Sequence, residues 1–215
     1  MGREFIPLFE NWAESYDDTV AGHDIQYREV FRNYEKILSD VVKHSGSKVL
    51  EFGVGTGNLT AKLAAAEKQV LGIEPSKTMR EIAKQKLPEH VVITDGDFID
   101  FPSLSFSPDT IVSSYAFHHL TNQEKREAIR RYRNILNEHG KIVFADTVFS
   151  DHKAFIAAIE NAKKNGFYQL AEDLETEHYP TISEMEAIFT SEHFRTTFQQ
   201  YNDFVWVMEA VKMKT

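Results

Sequence analysis

Val49-Leu50-Glu51-Phe52-Gly53-Val54-Gly55-Thr56-Gly57-Asn58-Leu59 is a hydrophobic run that enters three alternate glycines and leaves as the start of a helix. Glycines at such a turn admit positive φ and carry no Cβ, so the main chain can lie against a ligand at the carboxyl end of the strand. The spacing narrows the choice. A dinucleotide fingerprint places Gly or Ala where Asn58 stands, and a P-loop requires Gly-Lys-Ser/Thr, which is missing. Without a ligand the same stretch is only a tight strand-to-helix turn, and the residues further along the chain decide between the two.

Working outward, short β-branched or aromatic runs recur at 48–52, 69–73, 91–94, 110–115 and 141–145, mostly without polar alternation. Strands apolar on both faces belong in a covered parallel sheet. Helical patterns separate them at 58–66, 76–86 and 121–137, the last opening on the capping box Thr121-Asn122-Gln123-Glu124 and stopping near Gly140. Alternation of this kind predicts an α/β fold with a doubly wound, mostly parallel sheet. Ahead of it, Tyr27, Val30, Phe31, Tyr34, Ile37, Leu38 and Val41 recur at three and four, which predicts one long amphipathic helix over 25–42. After Asp146, helical patterns at 151–165 and 181–193 flank an acidic stretch, and two strands at 196–201 and 204–211 meet at the turn-forming Asn202-Asp203. The expectation is therefore seven strands ending in an antiparallel hairpin, within one domain over 1–215. Its parts are a helical cap (1–46), a cofactor-binding core (47–146), a helical insertion facing substrate (147–194) and the hairpin (195–215).

The composition is that of an ordinary globular protein, with 24 basic and 33 acidic residues for a net charge of −9, and no cysteine. Disulfides, thiolate metal sites and cysteine nucleophiles are thereby excluded. No apolar run approaches the ~18 residues of a membrane span, Gly2 lacks the context of a myristoylation signal, and a reducing cytoplasm is the expected location. The acidic balance disfavours nucleic acid and anionic lipid. Lys125, Arg126, Arg130, Arg131 and Arg133, interleaved with Glu124 and Glu127, read as the wet side of a helix.

Two more strand ends carry acids. Val70-Leu71-Gly72-Ile73-Glu74 places a carboxylate 21 positions after Gly53, where the second strand of a βαβ unit neighbours the glycine turn and an acid can accept both hydroxyls of a ribose. Alone, Glu74 is as readily a solvated loop acid. The third strand ends in Asp95-Gly96-Asp97-Phe98. Asp97 can accept from an exocyclic amine and Phe98 can cover a base, with Asp95 competing for the first duty and a simple Asp-Gly turn as the plain alternative.

With these residues in register the chain resembles a class I S-adenosylmethionine-dependent methyltransferase. Residues 49–59 resemble the first motif of that family, Glu74-Pro75-Ser76 with Met79 the second, and Asp97-Phe98 the third, with similarity continuing through 108–120 and 140–146. Trp12-Ala13-Glu14-Ser15-Tyr16-Asp17, Gly22-His23-Asp24 and Tyr27 are similar to its YrrT-like branch. The resemblance implies a Rossmann-like methyltransferase fold and S-adenosylmethionine as cofactor, held by Gly53, Gly55, Gly57, Glu74, Asp97 and Phe98. It further implies Glu51 at the cofactor's amino end. Glu51 stands where the family usually has Asp, and Glu192-His193-Phe194 where it commonly has a Gly-Phe turn.

The implied acceptor is a small molecule. Ser113-Ser114-Tyr115-Ala116 lacks the Asn/Asp-Pro-Pro-Tyr pattern that cradles a planar nitrogen, and base C5 chemistry lacks its thiolate. His118 and His119 follow the fourth strand and are the base candidates, against the alternative that the pair merely shapes the turn. No metal is expected, since adjacent histidines on a turn diverge and no third ligand stands at suitable spacing. Tyr16 and Tyr27 either cover the methionine end or pack the core, and Glu172, Asp173, Glu175 and Glu177 form either an acidic rim for a cationic acceptor or plain solvated surface. Two other classes stay open: a sensor that binds the cofactor without an acceptor, and a nucleotide-dependent oxidoreductase.

Overall fold

The computed structural model describes residues 5–214, so Gly2 and the outermost residues of the cap and hairpin lie outside the described residues. Helices α1 (Ile6–Trp12), α2 (Tyr16–Val20) and α3 (Tyr34–His44) precede the alternating core. That core runs β1 (Lys48–Phe52), α4 (Asn58–Ala65), β2 (Gln69–Ile73), α5 (Lys77–Lys86), β3 (Val92–Thr94), β4 (Thr110–Ser114), α6 (Asn122–Ile135) and β5 (Lys141–Thr147). Helices α7 (His152–Lys164), α8 (Tyr168–Thr176) and α9 (Ile182–Ser191) follow, and the strands β6 (Phe194–Gln200) and β7 (Val205–Lys212) close the chain.

The strands form one seven-stranded sheet in the order β3-β2-β1-β4-β5-β7-β6. All neighbours up to β5 are parallel, whereas β7 runs antiparallel to both β5 and β6. This is the Rossmann-like methyltransferase fold, with the hairpin where the turn signal put it. The chain winds away from β1 in opposite directions, to β2 on one side and β4 on the other, which opens a crevice at the carboxyl ends of these strands.

The lack of polar alternation has a simple cause. Val49, Val112, Val143 and Val207 face one cluster under α3, α7 and α8, while Leu50, Ile111, Phe144 and Met208 face a second under α6 and α9. Burying each such side chain stabilises the fold by about 1.5–3 kcal/mol. Among the described residues, no helix is long and apolar enough to cross a membrane.

Four local expectations are corrected. The helix predicted over 25–42 begins only at Tyr34, because Asn33 adopts a left-handed φ of 71° and the residues before it form successive turns. Asn202 makes this possible, donating to the carbonyls of Val30 and Arg32 at 3.1 and 2.8 Å in place of helical partners. Tyr27, Val30 and Phe31 are buried as their periodicity required, so the stripe was real and the helix was not. The acidic stretch after residue 165 is itself a helix, α8, rather than a connection. Lys125 is buried, not wet: its ammonium donates to the carbonyls of Leu120 and His178, tying the start of α6 to the segment after α8. Finally, α6 stops at Ile135, short of the expected 137, although its capping box forms as read.

Candidate active site

The three glycines of the turn all take positive φ, at 67°, 56° and 89° for Gly53, Gly55 and Gly57. A Cβ on Gly53 would meet that of Ala116 at 2.7 Å, so this glycine lets the turn close on the segment after β4. A Cβ on Gly55 would meet nothing within 4 Å. Gly55 therefore presents bare main chain to open space, and that space is a cleft of about 730 Å³ including its mouth.

Glu74 anchors the cleft. One carboxylate oxygen accepts from the Gly55 amide and the other from the Ser76 amide, each at 2.8 Å. Ser76 in turn caps α5 by accepting from the Met79 amide, and Arg80 donates to the carbonyls of Glu74 and Pro75 and to Asp95. Burial pushes the Glu74 carboxyl up to about 7, although the two amides and Arg80 pull the other way. Each oxygen retains lone-pair capacity toward the cleft.

Asp97 and Phe98 line the same cleft. Asp95, the competitor, pairs with Arg80 instead. One oxygen of Asp97 accepts from the amides of Ile99 and Asp100 at 2.9 and 2.8 Å, which shapes the loop behind it. Phe98 stacks on Phe52 with centroids 5.6 Å apart, and Tyr132 donates to its carbonyl. Glu51 is not among the lining residues. On β1 it shares a face with Val49, directed toward α4, where one oxygen accepts from Thr60 at 2.7 Å and the other has no hydrogen-bond partner. Burial, reinforced by the nearby charge of Glu74, lifts its carboxyl to about 8 against the pull of Thr60.

The cap closes over the glycine turn through a residue the sequence did not single out for it. Asp17 accepts from Thr56 at 2.7 Å and Asn58 at 3.1 Å and pairs with Lys86. Asn58 also donates to the Tyr34 hydroxyl at 3.2 Å. The residue that ruled out a dinucleotide fingerprint is thus the one that reaches the cap. Tyr16, next to Asp17, lies along the cleft.

A second cavity abuts the first and shares Tyr16, Met79, Tyr115 and His119 with it. Its other walls include Trp12, Tyr27 and Phe31 from the cap and Asp173, Glu177 and Tyr179 from the insertion. Tyr27 donates to Asp173, whose carboxyl burial raises to about 6. Tyr115 has a left-handed φ of 52°, and its buried hydroxyl has no hydrogen-bond partner. Strained φ of this kind in a non-glycine residue clusters at functional sites.

The histidine pair stands at this junction. Nδ1 of His118 lies 2.5 Å from Asp146, Nε2 lies 3.2 Å from Glu177, and the ring stacks on Tyr179 with centroids 4.7 Å apart. Burial alone would depress His118, but the Asp146 and Glu177 carboxylates overcome it and hold the imidazole up at about 10. Burial and the adjacent His118 charge push His119 down to about 3. The premise that adjacent histidines diverge and find no third ligand does not hold: the rings are 4.1 Å apart, and the insertion brings Glu177 to both.

A methyltransferase-domain family pattern matches residues 49–140. An uncharacterized methyltransferase of Bacillus licheniformis is 76% identical over 213 residues, covering 99% of this chain and 100% of that protein. The chain belongs to this methyltransferase family. The uncharacterized methyltransferase YrrT of Bacillus subtilis, another relative, is 61% identical over 212 residues, covering 99% of this chain and 100% of its own length. Solved structures share the fold at low identity. Magnesium protoporphyrin IX methyltransferase (ChlM) from Synechocystis with bound SAH has a TM-score of 0.70 at 16% identity, covering 96% of this chain and 98% of that one. The DhpI–SAH complex has a TM-score of 0.72 at 14% identity, covering 100% and 98%.

The insertion lines the second cavity as the glycine turn lines the first. The sequence did not point to Asp17 or Tyr115, and it offered Asp173 and Glu177 only as part of an acidic rim, against plain solvated surface. The structure divides that run: Glu172 and Glu175 face solvent while Asp173 and Glu177 turn inward. Their places on α8 and just beyond it give a helical spacing of four, the signal that separates the inner pair from the outer one.

Proposed function

We propose that the chain binds S-adenosylmethionine in the first cleft and transfers its methyl group to a small-molecule acceptor in the second cavity. The carrying observation is the shared wall: Tyr16, Met79, Tyr115 and His119 border both spaces, so two molecules can meet there head to tail. The residues fit the cofactor. Gly53, Gly55 and Gly57 offer uncovered main chain, Glu74 offers two hydroxyl acceptors held by the Gly55 and Ser76 amides, and Asp97 and Phe98 stand beside the same space for an aromatic base.

Bound there, the cofactor supplies a methyl group on a positively charged sulfur. Transfer is an in-line displacement, so positioning two molecules supplies most of the acceleration, worth about 7–11 kcal/mol in well-oriented systems. Trp12, Tyr27 and Phe31 exclude water from the acceptor side, Tyr16 covers the junction, and His119 gives the accepting atom its polar contact. Glu51, behind the wall with one unpartnered oxygen, keeps a carboxyl close under the glycine turn. A protein that only sensed the cofactor would need no second cavity. Incubating the protein with isotopically labelled S-adenosylmethionine and a metabolite extract, then analysing by mass spectrometry, should give a labelled small molecule. Absence of any labelled product from protein that still binds S-adenosylhomocysteine would refute the transfer.

A further inference from the structure

We infer that His118, His119 and Glu177 form a binding site for a divalent transition-metal ion, Zn²⁺ being the best chemical match, at the rim of the second cavity. The ion is additional to the methyl-transfer reading and does not depend on it.

Three observations carry the assignment. The first is the donor set. Two imidazoles and one carboxylate come together from segments 58 residues apart, with one donor atom of each within 4.8 Å of the other two. The Nε2 of His118 is 3.2 Å from one oxygen of Glu177, and Nδ1 of His119 is 3.7 Å from the other. Tetrahedral Zn²⁺ with bonds of about 2.0–2.2 Å to nitrogen and oxygen sets its ligands about 3.3–3.5 Å apart. The 3.2 and 3.7 Å separations, one to each oxygen of Glu177, lie close to that spacing, and one donor atom from each of the three residues already stands within 4.8 Å of the others.

The second is the outer support. Metal-bound histidines almost always give their other ring N–H to a carboxylate, and metal-bound carboxylates are themselves hydrogen-bonded. Here Asp146 takes Nδ1 of His118, and its second oxygen accepts from the His118 amide at 3.0 Å, which leaves Nε2 directed at Glu177. Tyr179 donates to Glu177 at 2.5 Å while its ring stacks on His118. Asp146 is buried and Tyr179 half-buried, and different elements place them, β5 and the segment after α8.

The third is the open side. His118, His119 and Glu177 all line the second cavity, and His119 also borders the first. Three protein ligands with a free position facing a cavity is the arrangement of catalytic rather than structural zinc sites. Binding would exchange the proton on Nε2 of His118 for the metal, releasing that proton to solvent and keeping the Nδ1–H on Asp146. A hydroxyl, thiol or carboxyl group reaching the open side would be held at the junction and, if protonated, made more acidic.

The test uses the full chain, stripped with a chelator and titrated with Zn²⁺ alone by calorimetry and with Co²⁺ alone by visible absorption. One equivalent should bind, with a d–d band for the cobalt form. Glu177→Gln, which preserves shape, should abolish stoichiometric binding, and Asp146→Asn should weaken it by about 10–100-fold. Thermal melts confirm that each variant is folded, and His119→Gln provides a second ligand removal should Glu177→Gln unfold. Failure of the wild-type chain to bind either ion, or binding unchanged in a folded Glu177→Gln or His119→Gln chain, overturns the site. Neither readout involves methyl transfer, so failure here leaves the proposed function standing, and the reverse.

Discussion

Glu51→Gln should make the ligand-free protein more stable in alkaline solution and leave it little changed in mild acid. Glu51 is 1% exposed, has a single hydrogen bond, from Thr60, and leaves its other oxygen unpartnered. Burial holds its carboxyl at about 8 in the fold against an ordinary value of 4.5. Between those two values the folded chain binds more protons at this group than the unfolded chain does, so stability falls as pH rises. The slope for one group approaches about 1.4 kcal/mol per pH unit, which accumulates to roughly 4 kcal/mol by the time the folded group ionises. Gln cannot ionise, keeps the shape and can still accept from Thr60, but its amide leaves a buried N–H₂ costing about 1–3 kcal/mol. The net expectation is a variant about 1–3 kcal/mol more stable than wild type near pH 9, and equal or slightly less stable near pH 5. Urea denaturation of both proteins across that range measures the difference directly, and subtracting one curve from the other removes every group they share. A difference that does not change with pH, or that grows in favour of wild type on the alkaline side, would show that Glu51 is not a buried acid titrating with a raised pKa.

The remaining tests address the first cleft and its latch. Glu74→Gln puts an N–H₂ against one of the two amides it now accepts from, and should weaken S-adenosylhomocysteine binding by about 1–3 kcal/mol in calorimetry; unchanged affinity contradicts the ribose assignment. Because the Glu74 carboxyl sits at about 7, wild-type affinity should fall as pH drops below that value, since the protonated form is a poorer acceptor, and a flat profile would count against the same assignment. Gly55→Ala places a methyl in open space at a left-handed φ, so the fold should lose only about 1–2 kcal/mol while ligand affinity collapses; a variant that melts early but binds normally would put the ligand elsewhere. Asp17→Asn removes the Lys86 ion pair and weakens the contacts to Thr56 and Asn58, and stopped-flow fluorescence should show faster ligand release with about 1 kcal/mol of lost affinity; identical release rates would mean that the latch does not gate the cleft.

What the sequence made legible follows from where local chemistry had no competitor. Strands covered on both faces lose polar alternation, and so 48–52 and 69–73 could be located to the residue from their short, largely apolar runs. The glycine turn was legible because glycine alone readily sustains three alternate positive φ values, and Glu74 because it closes the second apolar run, 21 positions after Gly53, where β2 pairs in parallel beside β1. Illegible features depend on partners far away in sequence. Nothing near 25–33 says that Asn202 will take over two of its carbonyls, so the apolar stripe reads as an uninterrupted helix. Lys125 looks wet because a lysine usually is, and only the carbonyls of Leu120 and His178 explain why this one is inside. His193, at a φ of 58°, supplies the left-handed residue for which the resemblance predicts glycine, so the departure at Glu192-His193-Phe194 changes the side chain and not the turn.

The two cavities are built by different parts of the chain, and this constrains how they work. The first cleft is built mainly by the core, since Gly53, Gly55, Glu74 and Asp97 all follow strands of the sheet. The second cavity lies where the cap and the insertion meet the segment after β4: Tyr27 reaches across to Asp173, and Glu177 reaches back to the histidines. The cap is fastened to both, through Asp17 to Thr56 and Asn58 on one side and through Tyr27 on the other. Tyr16, one residue before the first fastening, borders both spaces. Ligands in the two spaces would therefore both bear on the cap, and any coupling between them through it would be reciprocal.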